Sequence, residues 1–315
     1  MNTRLTELLA IEHPILMAPM FLVSNVSMTI AAAKAGIAGC IPALNYRTDS
    51  EFRTALSELN NAQICYGINL IVNRSNYYFP AQLKACLEFK VPFIITSLGN
   101  PKTVIQAFQN TNTKVFCDVS NLEYARKAAS FHPDGLIAVT NEAGGHLGPV
   151  SPNILVPELI KEFPNLIIIS AGGVGDRKSL DEKLGLGADG VSVGSIFIAS
   201  KESAVCQEYK QACVDFGAKD IVTTTKLSGI PCTVINTPYV QQIGTKQNWL
   251  QAILNKNKTL KKCFKMLTYK RGMDILSKAA FDATYQNVWC AGTTIEYVKE
   301  IKPVKEIVDQ LLGNH

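Results

Sequence analysis

The sequence predicts an α/β chain closed into a TIM (β/α)8 barrel, and three observations carry that prediction. Eight apolar, β-prone runs recur between residues 14 and 197, each separated from the next by a segment able to form a helix. The runs are nearly continuously apolar rather than alternating, as parallel strands covered on both faces require. Helix-capping residues fall in the gaps between them. Alternation of this kind indicates α/β architecture, and eight repeats favour a closed barrel over an open sheet. A chain of 315 residues suits such a barrel as one large domain with an insertion.

The elements follow in order. "PILMAPM" (14–20) is the first strand, and a helix is expected from Asn25 to Ala35. "GCIPAL" is the second strand, and Ser50 is placed as the cap of the helix behind it. "ICYGINLIV", "FIITSLG" and "KVFCDVS" are the third to fifth strands, with Asn121 capping the helix after the fifth. "GLIAVTNEAGG", "LIIISAGG" and "GADGVSVGSIF" complete the set, with Asp176 capping the helix after "AGGVG". Beyond Phe197 the rhythm is lost. A helical stretch near 202–217 leads into "KDIVTTTKLSGIPCTVINTPYVQQIG", which reads as the start of an inserted, smaller and mostly helical lid region. The expected division is a barrel over 1–200, a lid or substrate region over 201–275, and a C-terminal segment over 276–315 that returns to the barrel. In that last segment "KPVKEIVDQLL" is an amphipathic helix suited to the outer ring.

Composition narrows the class. Apolar residues make up 47% of the chain and charged ones 18%, which suits a globular protein with a large core. No apolar run reaches membrane-spanning length, and the start "MNTRLTELLAIEHP" lacks a secretory pattern. A formal charge of +5 is modest for this size and does not call for nucleic acid. The basic run at 256–271 reads as a solvated helix face or an anion-attracting patch. Nine scattered cysteines, none in C-x-x-C spacing, fit free thiols in a reducing cytoplasm.

Barrel chemistry lies at the carboxyl ends of the strands. "NEAGGHLG" (141–148) ends the sixth and sets His146, one of only four histidines, among glycines at the barrel mouth. His13 and His132 precede prolines in turns, and His315 is terminal. "SAGGVGD" and "GVSVGS" end the seventh and eighth runs, where glycine amides and helix starts suit a phosphate. No metal-ligand spacing competes, since Glu142 alone beside His146 is insufficient. Cys117 lies near a strand end but reads as a buried thiol.

In this order "HPILMAPM", "GINL" (67–70), "EAGGHLG", "SAGGVGD", "GADGVSVGS" and the closing "VWCAGTTIEYVKEIKPVKEIV" resemble the FMN-dependent nitronate monooxygenase family, formerly called 2-nitropropane dioxygenases. The resemblance extends to flavin-dependent enoyl-carrier-protein reductases and some quinone reductases. It implies FMN as cofactor, with Ala18, Pro19, Met20 and Asn69 against the flavin and Gly144 and Gly145 close to its ring. Gly172, Gly173, Gly194 and Ser195 would hold the phosphate, and His146 matches the family's catalytic histidine. Small-molecule substrate and dioxygen are the implied partners, without nucleic acid or membrane; NAD(P)H and a homodimer stay open. One departure stands out: some relatives carry lysine at the end of the fifth strand, where this chain has Asp118. The implied activity is oxidation of alkyl nitronates or nitroalkanes with dioxygen. The alternatives are an NAD(P)H-dependent enoyl-carrier-protein or quinone reductase, and a barrel that binds a phosphate ligand without redox chemistry.

Overall fold

The computed structural model describes residues 1–227, 230–246 and 288–314. Eight parallel strands close into a barrel in simple sequential order, with the first paired to the eighth. They are β1 (Ile15–Met17), β2 (Ala38–Pro42), β3 (Tyr66–Ile71), β4 (Phe93–Ser97), β5 (Lys114–Val119), β6 (Gly135–Val139), β7 (Ile167–Ala171) and β8 (Gly190–Val193). Each of the eight apolar runs supplies one strand, so the expected barrel is the observed one.

The barrel interior is a packed core. Leu16, Cys40, Phe93, Ile95, Phe116, Ile137 and Ile169 are all buried within it. Phe93 and Phe116 meet edge to face with centroids 5.8 Å apart. Gly67 on β3 makes room for this arrangement, since a Cβ there would run into the Phe93 ring. A short helix that the strand pattern did not reveal, α1 (Arg4–Leu9), plugs the amino end with Leu5 and Leu9. Arg4 fastens it by two hydrogen bonds of 2.8 and 2.7 Å to the Asp189 carboxylate, which also accepts the Ile168 amide. One end of the barrel is thereby closed, and the cavity lies at the other.

Around the strands lie α2 (Val26–Lys34), α3 (Asp49–Asn61), α4 (Phe79–Glu88), α5 (Lys102–Phe108), α6 (Leu122–Ala129), α7 (Pro152–Glu162) and α8 (Arg177–Gly185). Asn25, Asn121 and Asp176 cap α2, α6 and α8 through their side chains, as the sequence predicts. Ser50 is a correction. Thr48 is the cap of α3, where its hydroxyl accepts the Glu51 amide and Glu51 reaches back to the Thr48 amide. This reciprocal box satisfies two free donors, so it wins over a serine already inside the first turn.

Beyond β8, α9 (Gln207–Asp215) starts later than the expected residue 202. Glu202 is used otherwise: its carboxylate accepts the Val304 amide at the start of the closing helix. An antiparallel ribbon follows, β9 (Ile221–Thr224) with β10 (Cys232–Ile235), and then α10 (Pro238–Ile243). The described part of the expected lid therefore includes strands as well as helix. The final helix, α11 (Val304–Leu312), packs Val304, Ile307, Val308 and Leu311 into the core beside α2 and α8. The basic run at 256–271 and His315 lie outside the described residues. Among the described residues no helix is long and apolar enough to cross a membrane.

Candidate functional site

A cavity of about 1060 Å³ opens at the carboxyl ends of the strands. Its wall includes every site residue expected from the sequence: Ala18, Pro19, Met20, Asn69, Gly144, Gly145, His146, Gly172, Gly173, Gly194 and Ser195. The closed order of the strands explains why. Residues far apart in sequence end adjacent strands, so their loops meet over one mouth.

The loop after β1 is held rigidly. The Ser24 hydroxyl donates to the Ala18 carbonyl (3.0 Å) and accepts the Met20 amide (2.9 Å). Asn45 accepts the Leu22 amide and donates to the Ser24 carbonyl, both at 2.8 Å. Leu22 can thereby keep a left-handed φ of 59° that its side chain would otherwise disfavour.

The loops after β7 and β8 present backbone rather than side chain. Gly172 (φ 109°) and Gly173 (φ 76°) both adopt conformations that favour glycine. A Cβ on Gly173 would also strike the Glu142 carboxylate. Glu142 is in turn held at 2.7 Å by Lys183 of α8, whose side chain is buried. The Ser195 hydroxyl accepts the Gly292 amide at 2.8 Å, which leaves its own proton for another acceptor. Gly144 lies so close to Ser195 and Gly292 that any side chain would collide with both.

His146 is carried by a loop tied at both ends. The Gly148 amide donates to the Thr140 carbonyl at 3.0 Å, closing the base. Thr233 of β10 straddles Gly145: its hydroxyl accepts the Gly145 amide and its own amide donates to the Gly145 carbonyl, both at 2.8 Å. His146 itself pairs with Cys232 as an isolated antiparallel bridge. A Cβ on Gly145 would meet nothing within 4 Å, so this glycine borders open space. Burial lowers the His146 imidazole below the ordinary histidine range, favouring the neutral ring that can accept a proton.

The opposite part of the wall is built from polar side chains. Asn69 of β3 donates to the Ser97 hydroxyl at 2.6 Å and to the Ile95 carbonyl at 3.2 Å. Ser97 of β4 in turn donates to Asp118 of β5. Burial pushes the Asp118 carboxyl up to about 6, with the Ser97 bond opposing the rise. Cys117 beside it is buried, and its thiol is pushed up to about 12 for the same reason. Among the described residues, no group of three or more histidine, cysteine or acidic side chains could hold a metal.

Ser97, Thr233, Cys232, Cys290 and Gly292 belong to this mouth but escaped the sequence reading. Ser97 ends a recognised strand and could have been found from that alone. The others come from the ribbon and the returning segment, whose pairing to the barrel leaves no periodic signal.

Comparison with known proteins places this geometry in context. The family model for nitronate monooxygenase matches residues 47–314. A probable nitronate monooxygenase from Staphylococcus saprophyticus is 26% identical, over 78% of this chain and 81% of that protein. The (3aS,4S,5R,7aS)-5-hydroxy-7a-methyl-1-oxo-octahydro-1H-indene-4-carboxyl-CoA dehydrogenase of Rhodococcus jostii is 25% identical, over 93% and 83% of the two chains. Among solved structures, FabK from Thermotoga maritima superposes with a TM-score of 0.86 at 29% identity, covering 100% of this chain and 96% of that one.

Proposed function

Because the chain belongs to the nitronate monooxygenase family, we propose that it is an FMN-dependent oxidoreductase that oxidises alkyl nitronates and nitroalkanes with dioxygen. The observation that carries this reading is the placement of His146 on a glycine-flanked loop over the same cavity that the β7 and β8 glycine turns enter. The residues fit FMN. Gly172, Gly173 and Gly194 leave backbone in place of side chains, and the Ser195 proton is available to a phosphate oxygen. Asn69, Ala18, Pro19 and Met20 would bound the ring. FMN, when bound, supplies the electron-transfer chemistry.

The chain's own groups do the rest. His146, neutral near physiological pH, takes the α-proton of a nitroalkane; toward a substrate already in the nitronate form it donates a hydrogen bond to a nitro oxygen. The barrel would serve as the cofactor domain over 1–200, with 201–275 as lid and 276–315 returning to the barrel.

A second reading is favoured by the size of the cavity, which slightly exceeds the usual ligand-pocket range of roughly 300–1,000 Å³. Leu227, Ile230 and Val288 extend its apolar wall, which suits an acyl thioester handled with NAD(P)H. The coenzyme A ester in the name of the Rhodococcus relative agrees with this. One experiment separates the two. The purified protein is expected to be yellow, and turnover on alkyl nitronates with dioxygen is expected to exceed NAD(P)H-dependent reduction of enoyl thioesters. A protein that stays colourless with added FMN sinks both readings and leaves a non-redox phosphate-binding barrel. Faster thioester reduction replaces the first reading by the second.

A further inference from the structure

Two cysteines face each other at the barrel mouth, one on the ribbon of the inserted region and one where the chain returns to the barrel. Cys232 opens β10 and Cys290 lies on the returning segment, with their sulfurs 3.6 Å apart. An antiparallel bridge joins Cys290 to Val234, and another joins Cys232 to His146. The thiol pair is therefore tied to the His146 loop on one side. On the other it is tied to the segment carrying Gly292, which closes on Ser195. Tyr209 fixes that second side, stacking on Trp289 and donating its hydroxyl to the Cys290 carbonyl. Both cysteines line the cavity, so a small oxidant that enters it can reach them.

We propose that Cys232 and Cys290 are a redox modification site, closing into a reversible disulfide when hydrogen peroxide reaches the cavity. The chemistry balances in two steps. One thiol is oxidised to a sulfenic acid as peroxide is reduced and releases one water. The second thiol then attacks that sulfur, forming the S–S bond and expelling the hydroxyl as a second water. Two thiols lose two electrons and two protons, and one peroxide becomes two waters. The contact with Cys232, and burial, raise the Cys290 thiol well above its ordinary value. Either sulfur can be the one that meets peroxide, and the other then resolves the sulfenic acid. The bond requires a separation of about 2.0 Å, so the sulfurs must approach by roughly 1.5 Å. That movement pulls β10 toward the returning segment and takes the His146 loop with it, since Thr233 and Cys232 hold that loop. The effect on turnover rests on the proposed oxidoreductase reading; the disulfide itself does not.

The test uses the full-length protein treated with hydrogen peroxide, then denatured, alkylated, digested and mapped by mass spectrometry. A peptide pair joined through Cys232 and Cys290 is expected, with two thiols lost from the total and both restored by dithiothreitol. Cys232→Ser and Cys290→Ser are each expected to abolish the link. Recovery of both cysteines as alkylated thiols, or as unlinked sulfinic and sulfonic acids, overturns the site; this outcome needs no variant to fold. In a second arm, peroxide is expected to lower turnover at least several-fold in the unmodified protein, reversibly, and not in Cys290→Ser. A mapped disulfide with unchanged turnover overturns the coupling to His146. Absence of any flavin activity, with the disulfide still mapped, counts against the proposed function alone.

Discussion

The two halves of the barrel mouth are built on opposite principles. At the ends of β7 and β8 the wall is backbone: Gly172, Gly173 and Gly194 remove side chains and leave amides and space. At the ends of β3, β4 and β5 it is a run of polar side chains, from Asn69 through Ser97 to Asp118. The glycine half presents shape and backbone dipole, with the Glu142–Lys183 ion pair set behind Gly173. The polar half carries a carboxyl that burial pushes up to about 6. His146, on the loop after β6, stands between them. On the proposed reading holding and tuning fall to different strands, and each half is expected to fail in its own way.

In the glycine half the expected effect falls on cofactor affinity. Gly173→Asp forces a side chain into a left-handed backbone, into the Glu142 carboxylate, and adds charge where a phosphate would sit. Flavin affinity is expected to fall on the order of 100-fold or more, equivalent to roughly 3 kcal/mol, read by titrating FMN against intrinsic fluorescence. The far-ultraviolet circular dichroism of the barrel is expected to persist. Undiminished affinity would erase the distinction between the halves.

Between the halves, His146→Ala is expected to retain flavin and lose turnover by roughly 10²–10⁴. Neutral nitroalkanes are expected to suffer more than preformed nitronates, because only they need a proton removed. Since burial lowers the imidazole, the acid limb of kcat/KM for nitroalkanes is expected below the usual histidine range. Equal small losses on both substrates would make His146 part of the scaffold.

The smallest effect belongs to the polar half and concerns stability. Asp118 binds its proton more tightly when folded, titrating at about 6 rather than 3.8. The folded state therefore holds more protons than the unfolded one between those values, and stability falls as pH rises through them. Above about 6 the penalty is complete. Asp118→Asn removes it and is expected to stabilise the protein near neutral pH by about 1–3 kcal/mol, a gain that fades as pH falls toward 4. Urea melts at several pH values would measure it. A gain independent of pH would show that packing, not the carboxyl, sets the difference.

Much of this was legible in the sequence because a barrel repeats itself. Each strand of β1 to β8 announces itself as an apolar run bounded by glycine or a capping residue, and the loops at their ends then fall together by topology alone. What stayed hidden depends on contacts without period. The α1 plug is only six residues long, and its place inside the barrel is set by Leu5 and by Arg4 reaching Asp189. The ribbon β9–β10 was passed over because its strands are four residues each and are separated by turn residues. Thr48 caps α3 in place of Ser50 because of the reciprocal bond to Glu51, a pairing that exists only once the backbone is in place.

The tie between the His146 loop and β10 also sets an order of assembly. All eight barrel strands have been synthesised by Val193, yet the loop carrying His146 is held by Thr233, and Ser195 receives its partner only with Gly292, 97 residues further on. At about 5–20 residues per second, a nascent chain spends on the order of ten seconds between those two points. During that interval both the mouth and the core wait for the same segment. A chain interrupted within the insertion would lack Gly292 beside Ser195 and also Val304, Ile307, Val308 and Leu311 of α11 in the core, so the returning segment completes site and fold together.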